Sequence, residues 1–250
     1  PLDRGSANPL PAFVRAQSEL PEQIRTLVLE PADGRLAYTV LRDRDAKWGD
    51  TENAPPADRL ASMNLVVSDL ASGRGFAPVD ELVARGVQYV LAVPPVDADL
   101  EVALDSAPGL LRIANPGDAS LWRVELDAGR VRLLGANDQR EVLPSEVEGD
   151  PSSARVEVPA AESDRLLELA ELADERWVAT ATSEGETREL PVGAAPEWGQ
   201  RFVAGTGAAE VSMAVEDRWR RALLWTQLVL VVLLVIVALP GRSRRDEEAV

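Results

Sequence analysis

The stretch VQYVLAV (Val87–Val93) decides the fold of the first half of the chain. It is apolar and rich in β-branched residues, as a strand buried on both faces of a sheet must be, and Pro94 and Pro95 close it. Just before it, Val79–Arg85 reads as a short helix ended by Gly86, and just after it Asp97 to about Ser106 reads as another, with acids in its first turn. Further back, Leu60, Met63, Val67 and Leu70 recur at helical spacing, and Gly73 and Gly75 stop that helix. Before these helices, Arg25–Glu30 (RTLVLE) and Leu36–Leu41 (LAYTVL) form a hairpin across the turn signal Pro31-Ala-Asp-Gly. Downstream, Leu110–Ala114 and Leu121–Leu126 are strands around an Asn-Pro-Gly turn, and Arg130–Leu134 adds one more. Strands alternating with short helices predict a small α/β layer domain over residues 21–135, behind a Pro-rich linker at residues 1–20.

The character of the chain then changes. Asn137, Asp138, Pro144, Gly149, Asp150, Pro151 and Ser152 mark residues 136–152 as a linker. Beyond it, Arg155–Val158, Trp177–Thr182, Thr187–Leu190, Gln200–Ala204 and Ala209–Val215 are short strand-like runs between turns, so residues 153–216 are expected to form a β-sandwich-like domain. Asp164–Glu175 (DRLLELAELADE) is helical by propensity, although its apolar positions fit neither period well, and the sandwich needs a strand at Arg165–Ala170.

The segment ALLWTQLVLVVLLVIVAL (Ala222–Leu239) carries no charge. Roughly 18 helical residues span about 27 Å, close to the hydrocarbon thickness of a bilayer. A transmembrane helix is expected over residues 219–240, with Trp219 and Trp225 at its start and Pro240 and Gly241 at its end. Arg242, Arg244 and Arg245 lie on the short tail 241–250, which favours a cytoplasmic tail and an external position for residues 1 to about 217. The sequence opens at Pro1 without an n-region or h-region, so an external domain needs something upstream to export it. The expectation is the end of a larger membrane protein whose earlier spans precede this chain. The overall class is therefore α+β: a small α/β layer domain, a β-sandwich-like domain and one C-terminal transmembrane helix.

A formal net charge of -16 over 250 residues, with 46% hydrophobic residues, allows a real core and argues against a nucleic-acid partner, because such a surface repels phosphate. There is no Cys and no His, which removes thiol catalysis, disulfides, Cys/His metal sites and serine–histidine triads. Asp43/Asp45 and Asp97/Asp99 match the D-x-D spacing that can hold a divalent metal on a diphosphate, but the pattern arises readily in so acidic a chain, and Asp97 has a plainer role at a helix start. No metal, cofactor or catalytic residue is therefore assigned. Tryptophans can stack on the apolar face of a sugar ring while carboxylates and amides bind its hydroxyls. Trp122 and Trp177 lie in or at strands and are expected in the core. Trp48 with Asp50, and Trp198 with Glu197 and Gln200, lie in or next to predicted loops and are the candidate glycan-binding residues.

Three stretches carry a resemblance: RTLVLEPADGRLAYTVLR (Arg25–Arg42), ASGRGFAPVDELVARGVQYVLAVPP (Ala71–Pro95) and PGLLRIANPGDASLWRVE (Pro108–Glu125). They resemble the C-terminal extracytoplasmic region of large actinobacterial membrane proteins with a family 2 glycosyltransferase domain. In that group a cytoplasmic catalytic domain is followed by many spans, an ectodomain of this kind and a last helix. The resemblance also implies that RLLELAELADERWVATATSEGETRELP (Arg165–Pro191) is a strand–turn–strand of a sandwich, which favours strand at Arg165. It transfers no catalytic residue, because the family's catalytic domain lies outside this sequence.

The function expected from these readings is that of a non-catalytic extracytoplasmic region of a membrane glycosyltransferase in cell-envelope polysaccharide assembly. It would sit at the cell membrane and bind or position glycan or a partner, with the preceding spans of the same protein as a further partner. Two alternatives stand beside it: a self-contained extracytoplasmic glycosidase using a carboxylate pair, and a structural scaffold packed on those spans.

Overall fold

The computed structural model describes residues 9–32, 35–42, 57–73, 78–114, 117–135, 140–146, 153–194 and 198–216, together with 226–227 and 230–231. Two compact units are present, Pro1–Ala214 and Val215–Val250. The first is sheet-rich and mixed, with three sheets and four helices among its described residues.

The stretch that decides the fold is indeed the central strand. β3 (Val87–Ala92) is buried along its whole length. It lies between β1 (Arg25–Ala32), to which it is parallel, and β5 (Ser120–Val124), to which it is antiparallel. β2 (Arg35–Leu41) and β4 (Leu110–Ala114) complete the order β2-β1-β3-β5-β4. The parallel β1–β3 pair needs a crossover, supplied by α2 (Ala57–Ser72) and α3 (Pro78–Ala84). α4 (Ala98–Ser106) carries the chain from β3 to β4, and Asp97 caps it by accepting the Asp99 N–H at 2.9 Å. That is the plainer of the two roles open to the Asp97/Asp99 pair.

The sheet is covered on both faces because its strands alternate. Leu27 and Leu29 pack with Val67, Leu70, Leu82, Leu104 and Trp122 on the α2–α4 side. Val28 packs with Leu91, Leu121 and Val14 on the other side, which is covered by α1 (Ala12–Ser18). β3 keeps this alternation only beyond a bulge: the β1 register jumps from Arg25↔Val87 to Thr26↔Tyr89, leaving Gln88 as the extra residue.

Residues 136–152 were expected to form a linker; the structure instead places two strands there, β7 (Arg140–Leu143) and β8 (Ser145–Glu146). β6 (Val131–Leu134), assigned to the first domain on sequence, pairs with β10 (Leu166–Leu169), assigned to the second. These belong to a four-stranded sheet of order β13-β10-β6-β7, with β13 at Gln200–Val203. The other sheet has the order β12-β11-β14-β9-β8, with β9 at Ser153–Val158, β11 at Trp177–Ser183, β12 at Glu186–Glu189 and β14 at Ala209–Val215. Alternate residues along β9, β11, β13 and β14 are buried, the pattern of sheets with one inward face.

The chain leaves β7 in one sheet, passes Pro144 and enters β8 in the other. Past β12, Val192 makes an isolated bridge to Phe202 of β13. Each sheet keeps its own two edge strands, β13 and β7 in one and β12 and β8 in the other, which is compatible with the expected sandwich. The Asp164–Glu175 segment is strand at Leu166–Leu169, so pairing with β6 and β13 overrides its helical propensity.

Among the described residues no helix is long and apolar enough to cross a membrane. Of the span expected at residues 219–240, only Thr226, Gln227, Leu230 and Val231 are described, and these are helical. The remainder of that expectation lies outside the described residues.

Candidate functional site

Two features stand out in the first unit: a buried set of arginines around two glutamates, and a cavity beside α1. Glu171 follows β10 and is buried. Arg25 from β1, Arg42 from the end of β2 and Arg130 from the start of β6 all reach it, at 3.0, 2.7 and 3.0 Å. Burial alone would push this carboxyl up, but the attraction of Arg25, Arg42 and Arg130, with the Arg42 hydrogen bonds, wins and holds it at about 2. Arg25 also donates to the backbone oxygens of Arg85, at 2.8 Å, and Ala170. One residue just past β10 thus joins Arg25 of β1 with Arg42 after β2 and Arg130 before β6, fastening the α/β layer to the sheets that follow.

Glu168, three residues earlier on β10, is buried between Arg132 of β6 and Arg201 of β13, its cross-strand neighbours. It accepts a hydrogen bond from Arg132 and another from Arg201 at 2.9 Å. Burial pushes the Arg130 and Arg132 guanidiniums down, from an ordinary value so high that both stay cationic. Glu168, Glu171, Arg25, Arg130 and Arg132 are buried, with Arg42 and Arg201 partly exposed at the margin, and the cluster is read as structural.

Carboxylates elsewhere are also held as anions. The Ser120 hydroxyl and Arg112 lower Glu101, and Arg112 and the Trp122 indole N–H lower Asp105. Arg176 lowers Asp174. Among the described residues no group of three His, Cys, Asp or Glu is placed to hold a metal ion.

The cavity has a volume of about 360 Å³ and lies between the end of α1 and the β5–β6 connection. Its apolar wall is Leu20, Ile24, Ala128 and Val142, and Gln17, Glu22, Tyr89, Arg123 and Asp127 bring polar groups. Tyr89 and Arg123 are cross-strand partners, so their side chains leave the sheet on the same face. The Tyr89 hydroxyl donates to the Gln17 amide oxygen, and burial pushes this phenol up. Phe13 of α1 meets the Tyr89 ring edge-on at 6.2 Å. At the rim, Arg123 donates to Asp127 across 3.3 Å, and both are well exposed.

The back of the cavity is rigid. The bulged Gln88 turns its amide into the β5–β6 connection, donating to the Val124 and Leu126 oxygens at 2.7 and 3.2 Å and accepting the Ala128 N–H at 2.8 Å. Gly129 allows the chain to pass between Glu22 and Val142: a Cβ there would lie 2.4 Å from Val142 Cγ1 and 3.1 Å from the Glu22 oxygen.

The candidate glycan-binding residues of the sequence lie elsewhere. Trp48, Asp50 and Glu197 fall outside the described residues. Trp198 is half-buried, and the Arg85 guanidinium lies 5.2 Å from its ring centre. Gln200 is buried in β13, and its side-chain oxygen accepts the Asp174 N–H at 3.2 Å. The structure therefore does not bring Trp198 and Gln200 to the cavity. Trp122 and Trp177 are core residues, as their strand positions predict. The cavity residues went unnoticed because VQYVLAV reads as uniformly buried; the signal available was that Gln88 and Tyr89 alone in it carry hydrogen-bonding side chains.

The chain matches no protein-family model, and no solved structure matches it. The DNA-directed RNA polymerase subunit beta' of Tropheryma whipplei (strain TW08/27) is 26% identical to it over 174 residues. That alignment covers 68% of this chain and 13% of the subunit's length.

Proposed function

We propose that this chain is a non-catalytic, membrane-anchored ectodomain, the C-terminal part of a membrane glycosyltransferase of envelope polysaccharide assembly, and that it binds or positions glycan at the outer surface. The observation that carries the binding role is the preformed cavity beside α1, whose 360 Å³ lies within the range of small-ligand sites, about 300–1,000 Å³. The membrane anchorage and the glycosyltransferase context rest on the apolar Ala222–Leu239 segment and on the three resembling stretches. The likeness to an RNA polymerase subunit favours a transcriptional role, but a net charge of -16 weighs against a chain that must lie along phosphate.

The test is binding of the full 250-residue chain, held in lipid nanodiscs, to an array of neutral and anionic envelope oligosaccharides. Saturable binding to any of them supports the reading. A flat response across the whole array at millimolar glycan removes the glycan role.

A further inference from the structure

The cavity also points to a class of ligand. We infer that it takes an uncharged saccharide, an inference that rests on the glycan-binding reading of the same site. Three features of the lining select it.

The first is the mixture of hydrogen-bonding types. Glu22 and Asp127 accept and Arg123 donates, and, with the Tyr89 hydroxyl donating to the Gln17 oxygen, the Tyr89 oxygen can still accept and the Gln17 amide nitrogen still donate. A hydroxyl both donates and accepts, so a polyol satisfies such a set, whereas a simple anion or cation satisfies only part of it. The second is the apolar wall of Leu20, Ile24, Ala128 and Val142, which offers nothing to an ion but suits the C–H face of a sugar ring.

The third is charge. Two carboxylates and one guanidinium line the cavity, and the guanidinium already faces Asp127 at 3.3 Å. The site is net negative on a chain of net charge -16, so a uronate or phosphorylated sugar would meet net repulsion on approach, within the roughly 8–10 Å over which salt leaves charges unscreened. The hydrogen bonds by which Gln88 ties down the back wall mean that little there has to be ordered when such a ligand enters.

The experiment is saturation-transfer NMR and calorimetry on the full chain in nanodiscs. The probes are neutral trisaccharides of glucose, galactose, mannose and arabinose, with a galacturonate trisaccharide as the charged counterpart. Two variants at exposed rim positions leave the core untouched: Leu20→Trp, which fills the mouth, and Asp127→Ala, which removes an acceptor. At least one neutral trisaccharide is expected to bind. Its affinity should fall about 3- to 10-fold in Asp127→Ala, the worth of one hydrogen bond, and further in Leu20→Trp. Neutral binding that neither variant weakens would overturn the assignment of the cavity while leaving the glycan-binding reading intact. Tighter binding of the galacturonate probe would overturn the uncharged class, again without harming that reading. No binding of any probe, together with a flat array, would overturn both.

Discussion

At the scale of single residues, Glu171 carries the most. Its carboxylate is the shared acceptor for Arg25, Arg42 and Arg130, all reaching it at 3.0 Å or less. Removing the negative charge takes the shared counter-charge from two buried cations, Arg25 and Arg130, and from the partly exposed Arg42, and breaking a buried pair of this kind costs about 3–5 kcal/mol. Glu171→Gln is therefore expected to lower the free energy of unfolding by that amount, read from urea denaturation at pH 7. The pH dependence follows from the same contacts. The folded value of about 2 lies below an unfolded value of roughly 4.3, so the carboxylate's contribution is complete above pH 5. It is lost as the pH falls through the unfolded value towards 2. Wild-type stability should drop steeply between pH 5 and pH 2, and the Glu171→Gln chain should show a visibly shallower acid limb. Equal slopes for the two proteins would contradict the assignment of Glu171 as a buried anion.

At the scale of elements, the critical joint is the passage of Gly129 between Glu22 and Val142. A methyl group there would stand 2.4 Å from a Val142 methyl, and the backbone oxygen of Glu22 at 3.1 Å limits retreat. Overpacking of this sort costs about 1–3 kcal/mol, so Gly129→Ala should destabilise by that amount. Val142→Ala removes the nearer obstacle, and the double variant should lose less than the sum of the two single changes, a coupling that a double-mutant cycle measures directly. The same joint marks where the sequence stops being readable. The hairpin, the helices α2 to α4 and the strands β3 and β4 lie where hydrophobic period and turn residues put them, because each is decided by its own neighbours in sequence. β7 and β8 were missed because a four-residue and a two-residue strand leave no period to detect, and Pro144 between them reads as linker. The buried arginines were unreadable for a different reason. Arg132 is an ordinary surface residue by type, and only cross-strand pairing with Glu168, whose other neighbour is the partly exposed Arg201, explains why it sits inside. The cavity shares that difficulty, since α1, β3, β5 and β7 meet there from sequence positions more than a hundred residues apart.

At the scale of the whole molecule, the question is whether the α/β layer and the two later sheets of Pro1–Ala214 fold separately. Sequence composition puts a boundary at residues 136–152, but the bonding crosses it. β6 and β7 precede residue 147 and are hydrogen-bonded into a sheet completed by β10 and β13 from beyond residue 165. Arg25, Arg42 and Arg130 on the near side share a carboxylate on the far side. Cutting the chain at residue 135 would leave β6 with no partner on either edge and three arginines facing the empty position of Glu171. Breaking the buried ion cluster, about 3–5 kcal/mol, together with the lost β6 pairing removes a large share of the stability of a typical domain, about 5–15 kcal/mol. A fragment of residues 1–135 is therefore expected to stay unfolded, with a collapsed amide spectrum by NMR, although its hydrophobic content resembles that of an independent domain. In the intact chain, the amides of Leu29 in β1 and Phe202 in β13 should exchange with the same opening free energy and respond equally to urea, as members of one cooperative unit. Distinct opening energies for these two amides, or a well-dispersed spectrum from the isolated fragment, would mean that the shared sheet and the shared carboxylate contribute less than their geometry requires.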